Sequence, residues 1–387
     1  MACAENPTAS RKKSVQGVDP RRYPRIMQTT LPQRYFTDPA VFAGELERFF
    51  FRSWVCVGRA PEIAQPGDYF LREIGKESIV VARGPDQKVR AFFNVCRHRG
   101  TRICTNPQGR FLGSIQCGYH GWTYGLDGKL IAAPHMEQTS FCREDYPLHS
   151  VHAEIWDGHI FVNLSQHPKP LKEQLGDLKD KFRAWRSEEL RMASRKSYTV
   201  HCNWKLLVVN YNECLHCPII HPMLNRMTHY LSGENDVPTG AYIGGSMDLR
   251  TGVETMSVHG KRQRACLPGL EGKALDHVLY YTVYPNLFLS FHPDYVMTHT
   301  LWPRGVNQTD VNCEWHFHSE EMSRPDFDAA DAVEFWDTTN REDWRICELS
   351  QLGIESRAYQ PGPYSNLEGL PKAFDEMILR AERAKEE

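Results

Sequence analysis

Residues 96–120 read CRHRGTRICTNPQGRFLGSIQCGYH. Two thiols and two imidazoles arrive in two compact pairs, Cys96 with His98 and Cys117 with His120, and 18 residues, Arg99 to Gln116, lie between the pairs. Gly100, Gly118 and Gly121 sit beside them, and glycine permits the tight loops and close backbone approach that a bound group needs. Thiolates on one iron and imidazoles on the other are the ligand set of a mixed-ligand 2Fe–2S cluster. A zinc site also takes two Cys and two His, but its usual order puts both Cys before both His. Here the order alternates, which suits a cluster clasped between two loops. The third reading, four buried residues without metal, requires one short region to have gathered this set by chance.

The pattern C-x-H, spacer, C-x-x-H resembles the Rieske motif of the ring-hydroxylating oxygenases, and the spacer is close to the length usual in those enzymes. Such enzymes carry a second metal site, a mononuclear non-haem iron, later in the chain.

Bulk properties narrow the alternatives. A chain of 387 residues is too long for one small core and predicts two domains. With 41% hydrophobic and 24% charged residues it reads as globular, and a net charge of −2 argues against general nucleic-acid binding. No run of 18 apolar residues predicts a membrane span. The start, MACAENPTASRKK, has no apolar core of a signal peptide. Twelve cysteines in such a chain predict a reducing, cytoplasmic setting and metal chemistry rather than disulfides. Cys104, beside the first loop, is either a plain buried thiol or half of a local disulfide.

Residues 1–34 are read as a flexible N-terminal arm, polar and basic at its start. Thr37-Asp38-Pro39 opens a helix, with a capping residue and a proline in the first turn, and Phe42, Leu46, Phe49 and Phe50 follow at helical spacing. From Trp54 to about Leu164 short strands alternate with turns. Ser78–Ala82 and Ala91–Val95 are apolar runs of strand length, and Gly125-Leu126-Asp127-Gly128 signals a hairpin. Pro168 and Pro170 mark a boundary, so residues 35–168 form one antiparallel β domain with its preceding helix and 169–387 a second domain. Leu171, Leu175, Leu178, Phe182 and Trp185 predict one amphipathic helix. Runs at 277–284, 287–292 and 296–302 predict strands. At 311–318, Val311, Cys313, Trp315 and Phe317 alternate with Asn312, Glu314, His316 and His318, the pattern of a half-buried strand. A long helix near 327–352 should pack on this sheet.

The stretch NWKLLVVNYNECLHCPIIHP, Asn203 to Pro222, holds Glu213, His216 and His221. His216 and His221 are five residues apart, about 140° around an ideal helix, so a regular helix cannot aim both at one metal. Pro218 between them removes a backbone donor and predicts a break. The spacing E-x-x-H-x-x-x-x-H resembles the mononuclear iron motif of Rieske oxygenase α subunits. Two His and one carboxylate on one face leave positions open for dioxygen. The family takes its carboxylate from a late helix, and EDWRICELSQ, residues 342–351, fits its pattern E-D-x-x-x-x-E-x-x-Q through Glu342, Asp343, Glu348 and Gln351. The resemblance thus implies Asp343 as third ligand, with Asp337 and Glu342 as alternatives. It also implies that Glu213 bridges the two metal sites, touching His216 and the cluster ligand His120 of a neighbouring subunit, and that Asn210 stands near the iron.

What the family resemblance implies is an α+β chain: an N-terminal antiparallel β Rieske domain, then a C-terminal catalytic domain of helix-grip type, an antiparallel sheet holding a long helix. It implies one 2Fe–2S cluster and one mononuclear Fe(II) per subunit, a homotrimer closed head to tail, and dioxygen as cosubstrate. NAD(P)H electrons would arrive through a separate ferredoxin or flavin/iron–sulfur reductase, since no G-x-G-x-x-G follows a strand here. Glu213, where most relatives have Asp, resembles the subset that acts on quaternary ammonium compounds such as choline, glycine betaine and carnitine. Hydroxylation or N-demethylation of such a compound is the expected reaction. Aromatic ring hydroxylation or demethylation is the alternative, and a Rieske electron carrier without catalytic iron is the alternative of another class. A cationic substrate calls for an aromatic cage, for which Tyr281, Phe288, Phe291, Trp302 and Trp315 are candidates on strands, where core packing is the commoner role.

Overall fold

A computed structural model describes residues 29–137 and 140–383. The expected arm up to residue 28 lies outside the described residues. Its remainder is packed rather than free: Thr29 bridges to Pro363, Thr30 N–H donates to Gly362 and Leu31 is fully buried.

In chain order the elements begin with α1 (Arg34–Thr37) and α2 (Pro39–Glu45), which continues as a π turn over Leu46–Phe51. Asp38 caps α2 by accepting from Ala40 N–H, and Pro39 opens it, as the sequence predicts. The strands β1 (Val55–Arg59), β2 (Asp68–Ile74), β3 (Glu77–Arg83), β4 (Val89–Phe93), β5 (Gln108–Arg110), β6 (Ser114–Gln116), β7 (Thr123–Gly125), β8 (Leu130–Ala132), β9 (Ser150–Trp156) and β10 (His159–Asn163) follow. They form a seven-stranded antiparallel sheet, β1-β10-β9-β4-β3-β2-β5, and a small sheet, β6-β7-β8. The cluster loops lie between β4 and β5 and between β6 and β7.

Next come α3 (Leu171–Leu175) and α4 (Leu178–Lys181). The single amphipathic helix expected over 171–185 is therefore wrong. Gly176 takes φ 59° and ends α3, because a Cβ there would collide with Gly240 and Thr239 of a neighbouring loop. The apolar positions still face inward, and Leu171, Leu175, Leu178, Phe182 and Trp185 are all buried.

The chain continues with β11 (Leu190–Val200), α5 (Trp204–Tyr211), α6 (Cys217–Ile220), α7 (Leu224–Met227), β12 (Glu234–Asn235), β13 (Tyr242–Asp248), β14 (His277–Val283), β15 (Leu287–Phe291), β16 (Val296–Gly305), β17 (Gln308–His318), α8 (Ser319–Met322), α9 (Ala330–Ile354) and α10 (Gly369–Arg383). Seven strands pair antiparallel in the order β11-β17-β16-β15-β14-β13-β12, and the 25-residue α9 lies across them. This is the expected helix-grip arrangement of an α+β chain.

Two features escape the sequence. The helices before the β domain pack on the catalytic side: the fully buried Lys205 of α5 donates to Glu45 of α2 at 2.7 Å, and Trp204 Nε1 donates to the same carboxylate at 3.0 Å. Phe36, Phe49 and Phe50 join Trp204, Leu207, Trp344 and Phe374 in one core. Further, β17 is not half-buried. Glu314 and His316, expected to face water, are buried, with Arg59 of β1, Arg72 of β2 and His159 of β10 on that face, and Arg195 and Arg72 surround Glu314 and Glu62 there. Among the described residues no helix is long and apolar enough to cross a membrane.

Candidate metal centres

The two cluster loops close in the same way. Cys96 N–H donates to Thr101 O, and Gly100 N–H donates back to Cys96 O; Cys117 N–H donates to Trp122 O, and Gly121 N–H to Cys117 O. Gly100 (φ 75°) and Gly121 (φ 71°) take the left-handed conformation each turn requires. Asn94, at the end of β4, accepts from the N–H groups of Ile103 and Cys104 and donates to Cys104 O, fixing the first loop's far side. Cys104 is a buried free thiol, pushed up to about 11 by burial.

Both Cys96 and Cys117 are buried, and the His98 and His120 rings lie 4.5 Å apart, nearly perpendicular. His98 stacks on Trp122 at 4.9 Å, and its Nδ1 is buried without a partner among the described residues. A buried imidazole nitrogen left unsatisfied is costly, and a metal at Nδ1 removes that cost. Burial raises the Cys117 thiol, with the nearby Cys96 thiol adding to it. Two thiols side by side and two imidazoles side by side fit the two irons of a 2Fe–2S cluster.

The second centre forms where α6 meets α9. Pro218 does not break a longer helix, as the sequence reading had it. It sits in the first turn of the single-turn α6, where a missing N–H costs nothing. His216 caps that turn at its start and His221 at its end. Flanking one turn, rather than riding on it, is what lets the imidazoles converge with ring centres 5.1 Å apart. Asp343, on the sheet-facing side of α9, places Oδ1 2.8 Å from His221 Nε2 and 3.3 Å from His216 Nε2. One ligand atom from each of the three lies within 4.8 Å of the others.

Each imidazole has a carboxylate behind it. Glu213 Oε1 is 2.6 Å from His216 Nδ1, and Glu342 Oε2 is 2.7 Å from His221 Nδ1. The second oxygen of Glu213 accepts from Leu215 N–H, which locks the carboxylate in place. With both Nδ1 atoms so engaged, both Nε2 atoms turn towards Asp343. Burial pulls His216 down, but Asp343 and Glu213 outweigh it and hold the imidazole at about 9. His221 is likewise raised against its burial by Asp343 and Glu342. Asp343 is driven low by the two imidazoles although burial alone would raise it. Three carboxylates gathered around two imidazoles favour a cation between them, and two nitrogens with one oxygen on a shared face fit a non-haem Fe(II) ion.

Not every candidate joins this group. Asn210 is tied to it through its backbone carbonyl, which accepts from Glu213 N–H at 3.5 Å. Asp337 is held elsewhere by Lys196, Tyr198 and Arg341. Glu348 and Gln351 accept from the N–H groups of His201 and Asn203, pinning α9 to the start of α5. Glu342, read as a spare ligand, is instead the orienting partner of His221; the adjacent Glu-Asp pair was the signal for it. The expectation of no disulfide is also overturned: Cys214 and Cys217, on either side of His216, are bonded, with Cα atoms 5.0 Å apart as the turn into α6 dictates.

Strand register sorts the cage candidates. Tyr280 pairs with Ser290, Thr282 with Phe288 and Phe288 with His299, so these residues share the face under α9. Tyr281 and Phe291 are on the opposite face, packed with Phe182 away from the metal ligands.

Two family matches divide the chain: "Rieske [2Fe-2S] domain" over residues 53–151 and "Ring hydroxylating alpha subunit (catalytic domain)" over residues 187–382. The chain is 36% identical to the carnitine monooxygenase oxygenase subunit of Acinetobacter pittii, covering 86% of each protein. It is 31% identical to the glycine betaine monooxygenase oxygenase subunit of Chromohalobacter salexigens, over 94% of this chain and 86% of that one. Among solved structures, the quaternary ammonium Rieske monooxygenase CntA with L-carnitine superposes with a TM-score of 0.77 at 26% identity, covering 91% of this chain and 95% of that one. Naphthalene 1,2-dioxygenase from Rhodococcus sp., at 18% identity and a TM-score of 0.74, shares the fold. The family match over residues 187–382, with relatives above 30% identity covered along most of their length, makes the chain a member of the ring-hydroxylating α-subunit family and a Rieske-type oxygenase.

Proposed function

We propose that this chain is the oxygenase component of a multi-component system that hydroxylates or oxidatively N-demethylates a quaternary ammonium compound. The observation that carries the reading is the paired carboxylate–imidazole arrangement, Glu213 on His216 and Glu342 on His221, both aimed at Asp343. In this reading Cys96, His98, Cys117 and His120 hold the cluster, and His216, His221 and Asp343 hold the mononuclear iron. When bound, the cluster supplies single electrons and the Fe(II) activates dioxygen. Electrons come from NAD(P)H through a separate ferredoxin or flavin/iron–sulfur reductase in the cytoplasm.

The protein's own groups have defined tasks. Glu213 and Glu342 each keep a proton on Nδ1, so Nε2 carries the free lone pair and the rings cannot rotate. Asp343 adds the negative charge that favours a divalent cation. Glu213 would also meet His120 of a neighbouring copy when three copies close head to tail, which gives the two sites a short connection across subunits. Residues 1–34, 35–168 and 169–387 are the arm, the Rieske domain and the catalytic domain of this reading.

Support for the substrate class comes from relatives named for glycine betaine, carnitine and choline, and from Glu rather than Asp at position 213. The test is dioxygen uptake driven by NADH and a surrogate reductase. Stimulation by quaternary amines with aldehyde release supports the reading; stimulation by an aromatic acid alone overturns it in favour of ring hydroxylation or demethylation.

A further inference from the structure

Below the triad, between α9 and the sheet, a row of aromatic side chains leads into the interior. Tyr211, two residues before Glu213, stacks on Phe288 at 4.2 Å and donates to Leu289 O. Tyr280 follows with its ring 6.2 Å from Tyr211, and then Trp336 and His292, 6.3 Å from Tyr280. Trp336, 5.5 Å from His292, lies seven residues before Asp343 on α9. The row therefore ends about 10 Å from the metal ligands along the helix axis.

Its far end is short of hydrogen bonds. His292 is fully buried, yet neither ring nitrogen has a partner among the described residues. Tyr280 Oη is buried and unpartnered too, although the residue as a whole is only half-buried. Buried polar atoms are rarely left unpaired. Two neighbours have already spent their hydrogen bonds: Trp336 Nε1 donates to Tyr295 Oη, which donates to Met256 O. Burial holds His292 down at about 3, so it meets a ligand as a neutral imidazole with one donor and one acceptor. The near end is different in kind. Glu213, Glu342 and Asp343 exceed the charge of one divalent ion, and Tyr211, backed by the buried Phe288, keeps a partly exposed aromatic side chain, which together favour a cationic methylated head.

We propose that Tyr280 and His292 determine specificity by hydrogen-bonding an oxygen at the far end of the substrate, a carboxylate or a hydroxyl, while its trimethylammonium head lies at the triad. The proposal rests on the quaternary ammonium reading above. It predicts that the enzyme measures the molecule from head to oxygen, so that a head without an oxygen end binds without help from these two residues.

The test compares wild type, Tyr280→Phe and His292→Gln with L-carnitine, glycine betaine, choline and tetramethylammonium. KM and kcat are measured along with the rise in Tm that each compound causes. For the oxygen-bearing substrate that wild type prefers, Tyr280→Phe should raise KM about ten- to hundredfold with little change in kcat, and shrink the Tm rise. Tetramethylammonium should be unaffected. A preference for betaines over choline assigns the oxygen as carboxylate, and the reverse as hydroxyl. If Tyr280→Phe leaves KM and the Tm shift unchanged, or weakens tetramethylammonium equally, the proposal is overturned while the substrate class stands. If wild type turns over none of these compounds, the substrate class itself fails. Should His292→Gln not fold, the Tyr280→Phe comparison decides alone.

Discussion

Glu342 Oε2 lies 2.7 Å from Nδ1 of His221, the counterpart of Glu213 on His216 at 2.6 Å. Each metal-facing imidazole is thus oriented by its own carboxylate. Replacing Glu342 with Gln keeps the shape but removes the charge. It should weaken mononuclear iron binding by about 10–100-fold and leave the visible spectrum of the cluster intact. Iron titration of the metal-depleted protein checks this.

Glu213 has a wider task in this account. Glu213→Ala should preserve the cluster spectrum and abolish turnover, because it removes the orientation of His216 and, with it, the proposed contact to a neighbouring copy. A bleached cluster spectrum in this variant would contradict the separation of the two sites.

The buried pair Glu45–Lys205 ties α2 to α5, the helix that leads into the His216 loop. Removing one partner strands a charge in the core. Glu45→Ala should cost about 3–5 kcal/mol, and the double variant Glu45→Leu with Lys205→Met much less. Chemical denaturation of the three proteins measures the difference.

Asp375 gives stability a pH signature. Burial raises its carboxyl to about 6, against the pull of Tyr364 and Lys205. Between about pH 4, where the unfolded carboxyl titrates, and the folded value, the native state binds more protons. Stability therefore falls with rising pH across that window and levels off above it. Asp375→Asn should flatten this slope; Tm followed from about pH 5 to 8 in both proteins reads it out.

Much of the site was legible because ligand chemistry is local. Cys96 to His120 and Glu213 to His221 each occupy one short stretch, and Asp343 stands in one recognisable helix. What was hidden depends on pairing between distant elements. Glu314 and His316 alternate like exposed residues and are buried only because another sheet lies on them. The distinction between Tyr280 and its neighbour Tyr281 is one of parity, which means nothing until the face under α9 is known. The break at Gly176 and the packing of Leu31 arise from contacts with Gly240 and with residues near 360, far along the chain. The Cys214–Cys217 bond follows from a turn that the two histidines required, whereas composition alone argued against it.

The account stands most directly on Asp343, the carboxylate that completes the His216–His221 group found among the described residues. Iron analysis of Asp343→Ala, with its visible spectrum and NADH-coupled dioxygen uptake, is the measurement to make. The account predicts a fall from about three iron atoms per chain to about two, an unchanged cluster spectrum and no turnover. Three irons retained with normal turnover would contradict it.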